Sequence, residues 1–262
     1  MDKNKTKRKT ITILLACAAV VYGLTYLELQ KFPDRYSMLD EMSSEPKQTP
    51  TSKACFNLSI KNKEYILHPL FEYELYGMIV SYNQNSLIWA VDHWLAWEDF
   101  INVKDICVIW GSNIENEVYE GMTFINGSYT CYPRYKQELY DKVGWKYNPY
   151  QLSNNHLLAD NSAIKRRLLE AKRGDQIYLK GYLVQYASTD GTVLRNTSIS
   201  RSDTKCESIY VTDFQILKKA NRTARIIQKL AVATMFICLS LLIWFDRYLT
   251  RFAEKYARPK NY

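Results

Sequence analysis

A histidine and a cysteine in the central part of the chain are residue types from which a thiol enzyme is built. His156 lies in the segment LSNNHLL, residues 152–158, and Cys206 lies in the segment SRSDTKCE, residues 200–207. A thiol becomes a strong nucleophile when an imidazole takes its proton and a third polar group orients the imidazole. The sequence therefore offers a candidate catalytic site formed by Cys206 and His156, with Asp203 as the third member.

Polar and aromatic residues near these segments are candidates for ligand binding. Aromatic faces stack on sugars and lipids, and asparagine and arginine side chains supply hydrogen bonds. The candidate binding residues are Trp89, Trp94, Trp97, Asn154, Asn155 and Arg201. The tryptophans can equally fill a core, because large aromatic residues are buried on average. Arg201 and Asp203 can equally form an ion pair that orders their loop.

Disulfide bonding gives a competing role to the same cysteine. Six cysteines are present, and those of the central segment are Cys55, Cys107, Cys131 and Cys206. Four cysteines allow three connectivities. Cys131 follows a hairpin signal, which makes a bridge to Cys107 geometrically plausible and leaves Cys55 for Cys206. A bridged sulfur attacks nothing, and His156 would then close a loop by hydrogen bonds. This alternative favours a protein without catalytic activity.

Signals for a metal or a cofactor are weak. The three histidines, His68, His93 and His156, are isolated, and no pair of cysteines has Cys-x-x-Cys spacing. Zinc sites in proteins usually show such pairs. The sequence also has no glycine-rich phosphate loop and no Gly-x-Ser-x-Gly motif. We therefore expect neither a metal nor a cofactor.

Two apolar runs near the ends of the chain are predicted to be transmembrane helices. They span residues 11–28 and 230–246. Their apolar parts are close to the lower length limit for a helix that crosses a bilayer. Basic segments flank them: a tail over residues 1–10, a juxtamembrane helix over residues 218–229 and a tail over residues 247–262. Basic residues beside apolar spans usually contact lipid headgroups.

The distribution of basic residues predicts the orientation in the membrane. Five of them precede the first run, whereas only Lys31 and Arg35 follow it closely. Positive charge normally stays in the cytoplasm, so both termini are predicted to be cytoplasmic. The central domain then lies in the periplasm of a bacterium, anchored in the inner membrane, where disulfides form. A cleaved signal peptide is the competing interpretation of the first run, but no small-x-small cleavage site follows it.

The net charge of +8 does not indicate a nucleic-acid-binding protein. The excess of lysine and arginine is concentrated beside the two apolar runs, and the central segment is close to balanced. A nucleic-acid face needs a basic patch on the folded domain itself. We therefore expect membrane lipids, and not nucleic acid, to be the partners of these basic residues.

The central segment is predicted to be one β-rich domain. A polar stretch over residues 29–53 is typical of a flexible linker, and the domain follows over residues 54–217. Asn126–Gly127 predicts a hairpin, residues 161–172 predict a helix, and Gly181 marks a bulge or bend within a strand. The predicted fold class is α+β and mainly β: a small antiparallel barrel-like domain, with an OB-like barrel as one form, between two transmembrane helices. The predicted strands cover residues 71–82, 105–110, 122–132, 176–187 and 208–217.

Four segments in this order resemble a family of uncharacterised bacterial membrane-anchored envelope proteins with a single β-rich domain. The resemblance covers residues 71–217. Its segments are DICVIWG at 105–111, LSNNHLL at 152–158, the Arg-Gly-Asp turn at 173–175 and SISRSDTKCE at 198–207. It implies a β-rich domain on a membrane anchor and transfers no catalytic residue. The chain departs from the family pattern at Lys205, where the family has a spacer that contains glycine.

These observations favour a binding or scaffolding component of an envelope complex. Two anchors hold the domain at the membrane, and other membrane or envelope proteins are the expected partners; a homo-oligomer is compatible with the sequence. The alternative is a membrane-tethered thiol enzyme that uses Cys206 and His156. A further alternative is a membrane-bound ligand sensor whose domain lies in the cytoplasm.

Overall fold

The computed structural model describes residues 2–85, 99–127, 130–135, 137–138, 141, 146–200 and 205–257. The chain forms two compact units. One unit consists of the two ends, Met1–Lys31 and Asn221–Tyr262, and the other consists of Phe32–Ala220. Each unit is described below by itself.

Four helices and ten strands follow one another in the described residues. In chain order they are α1 (Asp2–Glu28), β1 (Lys47–Pro50), β2 (Phe56–Ile60), β3 (Lys63–Gln84), β4 (Asn102–Ile109), α2 (Ser112–Glu115), β5 (Met122–Asn126), β6 (Cys131–Tyr135), β7 (Leu152–Leu158), α3 (Ser162–Glu170), β8 (Gln176–Ser188), β9 (Leu194–Arg195), β10 (Glu207–Lys218) and α4 (Arg222–Ala257). Short 3-10 turns lie at Arg35–Ser37, Asp40–Ser43, Val118–Gly121 and Pro149–Gln151.

The unit formed by the chain ends is a pair of antiparallel helices. Arg8 near the start of α1 forms an ion pair of 3.4 Å with Asp246 in α4. At the opposite end, the Asn221 amide donates to the carbonyl oxygen of Lys31 at 2.9 Å. Both helices are long and apolar enough to cross a bilayer, with mean hydropathies of 2.0 over Asn4–Glu28 and 2.2 over Arg222–Tyr248. The two predicted apolar helices are therefore present.

Five strands of the β-rich unit close into a ring. Going around it, the order is β3, β4, β7, β10, β8 and back to β3. All neighbours are antiparallel except β7 and β10, which are parallel. Helix α3 connects β7 to β8. Strands β1 and β2 pair with β3, β9 pairs with β8, and β5 and β6 form a separate hairpin.

The core of the ring is apolar because alternate residues of each strand point inward. All five strands contribute to one buried cluster, for example Leu75, Val108, Leu157, Leu179 and Ile209. Helix α3 adds Ile164 and Leu168 to the same cluster, and the Asn161 side chain caps its first turn. The predicted α+β, mainly β class is confirmed, with a sheet that closes in a ring.

A second buried cluster lies on the outer face of the ring, under the β5–β6 hairpin. It includes Met78 and Ile109 from the ring and Met122 and Phe124 from β5. The Cys107–Cys131 disulfide joins β4 to β6, as the sequence predicts. The hairpin is confirmed as well, although its loop is longer than a two-residue Asn-Gly turn.

Gly181 lies where two backbones approach closely. It pairs with Val211 of β10, immediately before a register shift between Val211 and Asp213. A Cβ at Gly181 would collide with the carbonyl oxygen of Tyr210, so only glycine fits. The bulge predicted from Gly181 is therefore present, on the strand opposite it.

The segment predicted to be a flexible linker packs on the β-rich unit instead. Met42 is fully buried, β1 pairs with β3, and Glu45 accepts a hydrogen bond of 2.9 Å from the Trp110 indole nitrogen. A few anchoring residues hold this polar stretch, so its composition alone is misleading. At the other end, β10 extends to Lys218 and α4 starts at Arg222, with Asn221 in a left-handed conformation between them. The predicted juxtamembrane helix is thus partly strand and partly the first turns of α4.

Candidate active site

Asp105 and His156 face each other across two neighbouring strands. They are directly paired in the register of β4 and β7. His156 Nδ1 lies 2.7 Å from Asp105 Oδ1. Both side chains are buried, with 1% and 6% of their surface exposed. Because side chains alternate along a strand, the next pair on the same outer face is Cys107 and Asn154.

Amide groups complete the surroundings of Asp105. The Asn102 amide donates to the same oxygen, Asp105 Oδ1, at 2.9 Å. Burial acts to raise the pKa of Asp105, but the charge of His156 and the hydrogen bonds from His156 and Asn102 outweigh it. The pKa of Asp105 therefore lies below its ordinary value of 3.8, and this carboxylate is ionised beside the imidazole.

Cys206 reaches this pair because of where β10 begins. Glu207, the first residue of β10, pairs in parallel with Asn155 of β7. The preceding residue, Cys206, therefore lies beside the face that carries Asn154 and His156. It forms no disulfide and is partly exposed. The Asn154 amide donates to its Sγ at 3.2 Å, and His156 and Thr130 also form hydrogen bonds with it.

The thiol and the imidazole stabilise each other's charged forms. Burial acts to lower the pKa of His156, but the charge and hydrogen bond of Asp105, together with Cys206, raise it from 6.5 to about 10. Burial acts to raise the pKa of Cys206, but the hydrogen bond and charge of His156, with help from Asn154 and Thr130, lower it below 9.0. An imidazolium–thiolate pair is the form that these shifts favour.

A series of hydrogen bonds fixes the orientation of the Asn154 amide. Its oxygen accepts from the Asn126 amide at 3.0 Å, so its nitrogen is the end directed at Cys206. The Asn126 oxygen in turn accepts from the Ser81 hydroxyl. Asn126 ends strand β5, and the Cys107–Cys131 disulfide holds the β5–β6 hairpin to the ring. The hairpin thus positions a donor for the thiolate.

A cavity of about 270 Å³ lies against residues that flank Cys206, although Cys206 and His156 are not among the residues that line it. It is bordered by Asn154 and Thr130, which both hydrogen-bond to Cys206, and by the chain neighbours of that cysteine, Lys205 and Glu207. The remaining walls come from β6, the start of β7 and the turn before it. Those walls are formed by Cys131, Tyr132, Pro133, Tyr147, Pro149, Tyr150, Leu152, Ser153 and Ser200.

The structure brings together some of the residues that the sequence singles out. Cys206, His156 and Asn154 meet, and Asn154 is a partner of the thiol. Asn155 points to the other side of β7, where its amide donates to the Ile106 carbonyl at 3.3 Å and to the Ser153 hydroxyl at 2.8 Å. The predictions for Asp203, Arg201, Trp89, Trp94 and Trp97 concern residues that lie outside the described part of the chain.

Two expectations about these residues differ from the structure. The bridge expected between Cys55 and Cys206 is not formed: neither cysteine is part of a disulfide, and Cys55 is exposed. His156 lies in strand β7 and not in a loop. Ser153, Asn154 and Asn155 are typical turn residues, but each finds hydrogen-bond partners within the sheet, which allows a polar strand to be buried.

Asp105 was not singled out from the sequence, although it completes the site. It precedes the apolar run ICVIW, which predicts a buried strand. A carboxylate next to such a run indicates that a partner for its charge lies elsewhere in the fold, because buried charges in proteins are paired. In the described residues, no group of three histidine, cysteine, aspartate or glutamate side chains has the arrangement of a metal site.

Comparison with known proteins adds no identification. No family model, no curated protein and no solved structure matches this chain. The function must therefore be inferred from the geometry of the site.

Proposed function

We propose that this protein is a membrane-tethered thiol enzyme that transfers or hydrolyses acyl groups. One observation carries the proposal: a buried Asp105 carboxylate lies 2.7 Å from the His156 imidazole, and the partly exposed Cys206 thiol lies beside the same face of β7 and interacts with that imidazole. This is the arrangement by which cysteine enzymes activate their nucleophile.

Each of these three residues has a role in the proposed reaction. The Cys206 thiolate attacks a carbonyl carbon, and a sulfur–carbon bond forms. His156 then gives its proton to the leaving group as the original acyl bond breaks. Water, or another acceptor, then attacks the thioester carbon and gives a proton to His156. The sulfur–carbon bond breaks, which releases the acyl product and restores the Cys206 thiolate. Asp105 orients the imidazole and stabilises its positive charge throughout.

Asn154 supplies the electrostatic stabilisation that acyl transfer requires. The tetrahedral intermediate carries a negative oxygen close to the attacking sulfur. The Asn154 amide nitrogen lies 3.2 Å from Sγ and has a fixed orientation, so it is placed to donate to that oxygen. We infer that Asn154 is one donor of the oxyanion hole.

We further propose that the enzyme lies in the inner membrane of a bacterium, with both termini in the cytoplasm and the β-rich unit in the periplasm. The antiparallel arrangement of the two helices supports the placement of both termini on the same side of the membrane. The basic tail over residues 1–10 supports the cytoplasm as that side. We also propose an OB-like barrel for the ring. Its support is the strand order, with one parallel pair and a helix between β7 and β8.

Binding to envelope partners remains a prediction from the sequence, as does ligand sensing by the domain. Neither conflicts with a thiol enzyme, since a tethered enzyme also docks with proteins and binds ligands. The arrangement around Cys206 distinguishes the enzyme, because a binding protein has no need of a buried carboxylate and imidazole aligned on a thiol.

An acylation experiment tests the proposal. The full chain in mild detergent is mixed with p-nitrophenyl acetate, and the intact mass and the site of modification are measured. We expect an acetyl thioester on Cys206 that forms faster than any adduct on the exposed Cys55 and is absent from Cys206→Ala. Equal acetylation of Cys55 and Cys206, or an unchanged rate in a folded His156→Ala variant, would contradict the proposal.

A further inference from the structure

We infer that the acyl group is part of an extended polypeptide, which binds as an added strand in the cavity beside Cys206. The inference rests on the proposed thiol chemistry and adds the class of substrate. It follows from the way in which two strands border the cavity.

Consecutive residues of two strands line the cavity. Residues 130–133 line one wall, and residues 152–154 line another. Side chains alternate along a strand, so a cavity against the face of a sheet touches every second residue. A cavity that touches successive residues lies along the edge of the strand, where backbone N–H and C=O groups point outward.

The pairing of β6 and β7 leaves part of one edge of each strand without a neighbouring strand in the described residues. Strand β6 pairs with β5, and within the described residues no strand pairs with its other edge. Strand β7 pairs with β4 along its whole length, but β10 joins its second edge only from Asn155 onward. The part of that edge at residues 152–154 therefore adjoins the cavity and ends beside the thiol.

An extended peptide fits such a site because the unpaired part of the β7 edge supplies backbone hydrogen-bonding groups, while β6 supplies fewer of them, since Pro133 has no N–H. Peptides that add to a sheet edge gain affinity from main-chain hydrogen bonds and specificity from pockets for alternate side chains. The cavity offers aromatic and cyclic walls, with Tyr132 and Tyr150 partly exposed. The geometry thus favours a peptide with an aromatic or other apolar side chain near the carbonyl that Cys206 attacks.

Three vinyl sulfones test the inference on the full chain in mild detergent. Ethyl vinyl sulfone measures the reactivity of the thiol alone. Acetyl-tyrosyl-alanine vinyl sulfone adds a peptide, and its counterpart with a methyl group on the alanine nitrogen keeps the side chains but loses a backbone donor. In each case Sγ adds to the vinyl carbon, and the resulting carbanion takes a proton from His156. The rate of adduct formation at Cys206 is measured by mass spectrometry.

We expect the dipeptide probe to react at least about tenfold faster than ethyl vinyl sulfone, and N-methylation to remove most of that advantage. Tyr150→Ala should lower the dipeptide rate, whereas Tyr36→Ala, a change at a 99% exposed tyrosine away from the cavity, should not. Equal rates for the dipeptide and its N-methyl counterpart would overturn strand addition. Equal rates for the dipeptide and ethyl vinyl sulfone would overturn a peptide site. The proposed function fails separately, if ethyl vinyl sulfone labels Cys206 equally fast in wild type and in folded His156→Ala.

Discussion

The two faces of strands β4 and β7 are both buried, but the outer face places a carboxylate beside an imidazole, whereas the inner face packs mainly into the apolar core. The inner face carries Val108 and Leu157, which pack in the apolar core of the ring. The outer face carries Asp105, His156 and Asn154, which the β5–β6 hairpin and neighbouring segments shield from water. One face therefore stabilises the fold by removing apolar surface from water, and the other must compensate the burial of polar groups by hydrogen bonds.

This contrast explains why the outer face is suited to chemistry. Burial of an unpaired polar group is costly, so a buried polar cluster persists only where its members bond to one another. In such surroundings electrostatic interactions are stronger than in water, which shifts the pKa values of His156 and Cys206 in opposite directions. The predictions below test the separation of the two faces, ordered by their expected effect on the reactivity of Cys206.

Replacing Asp105 should have the largest effect. In Asp105→Asn the imidazole loses the negative charge that keeps it protonated, so the thiolate loses its partner. We expect the rate of Cys206 acetylation at neutral pH to fall by about 100-fold. Asp213→Asn is the matched control, because Asp213 lies on β10, where it forms a partly exposed ion pair of 3.4 Å with Arg167 and accepts a hydrogen bond of 2.8 Å from the Gln215 amide. A variant Asp105→Asn that is folded and reacts like wild type would show that the carboxylate is not part of the site.

Removing the disulfide should have an intermediate effect. The double variant Cys107→Ser with Cys131→Ser frees the hairpin that carries Asn126, and Asn154 then loses its fixed orientation. We expect acetylation of Cys206 to fall by roughly tenfold, since a misplaced oxyanion donor costs at least that much. The free energy of unfolding should fall by about 3 kcal/mol, as for a bridge that closes a loop of this size.

Two further variants separate the causes of that change. Asn126→Ala retains the disulfide and should reproduce the loss of rate with a smaller loss of stability. Cys55→Ser removes an exposed thiol and should change neither quantity. Wild-type acetylation in both the double variant and Asn126→Ala would mean that the hairpin does not position Asn154.

A change on the inner face should affect stability and leave the thiol unaffected. Leu179 lies on β8, is fully buried in the core of the ring and pairs with Phe214, well along β10 from Cys206, which precedes that strand. Leu179→Ala should lower the free energy of unfolding by about 3 kcal/mol, because it leaves a cavity. Below the unfolding transition, the acetylation rate should match wild type. Chemical denaturation and the acetylation assay, run on the same preparation, check both statements.

Sequence reasoning identifies much of the inner face and only part of the outer one. Apolar alternation, the Asn-Gly signal and the cap at Asn161 predict strands, the hairpin and α3, because these depend on residues close in the chain. The pairing of Asp105 with His156 depends on the register between β4 and β7, which no local pattern reveals. Turn-like composition likewise obscures the strand at Leu152–Leu158.

The number of cysteines also leads to a wrong prediction for Cys206, namely that it forms a disulfide. An even count in the central segment suggests two bridges, and Cys107–Cys131 is indeed one. Whether Cys55 meets Cys206 depends on their separation in the fold. Cys55 immediately precedes β2, which pairs with β3, whereas Cys206 immediately precedes β10, which pairs with β7 and β8. Whether Cys55 and Cys206 form a disulfide therefore depends on how the strands pair, which the sequence does not reveal.

The pH dependence of Cys206 alkylation tests the central claim most directly. Iodoacetamide is applied to the full chain between pH 5 and 10, and adducts at Cys206 and Cys55 are counted separately by mass spectrometry. The pKa of Cys206 lies below its ordinary value of 9.0, chiefly because burial is outweighed by the hydrogen bond and charge of His156. We therefore expect its rate to rise with a midpoint below pH 9.0 in wild type, and the midpoint to move to higher pH in folded His156→Ala. The same midpoint in both proteins, with Cys206 alkylated no faster than Cys55 at neutral pH, would contradict an activated thiol.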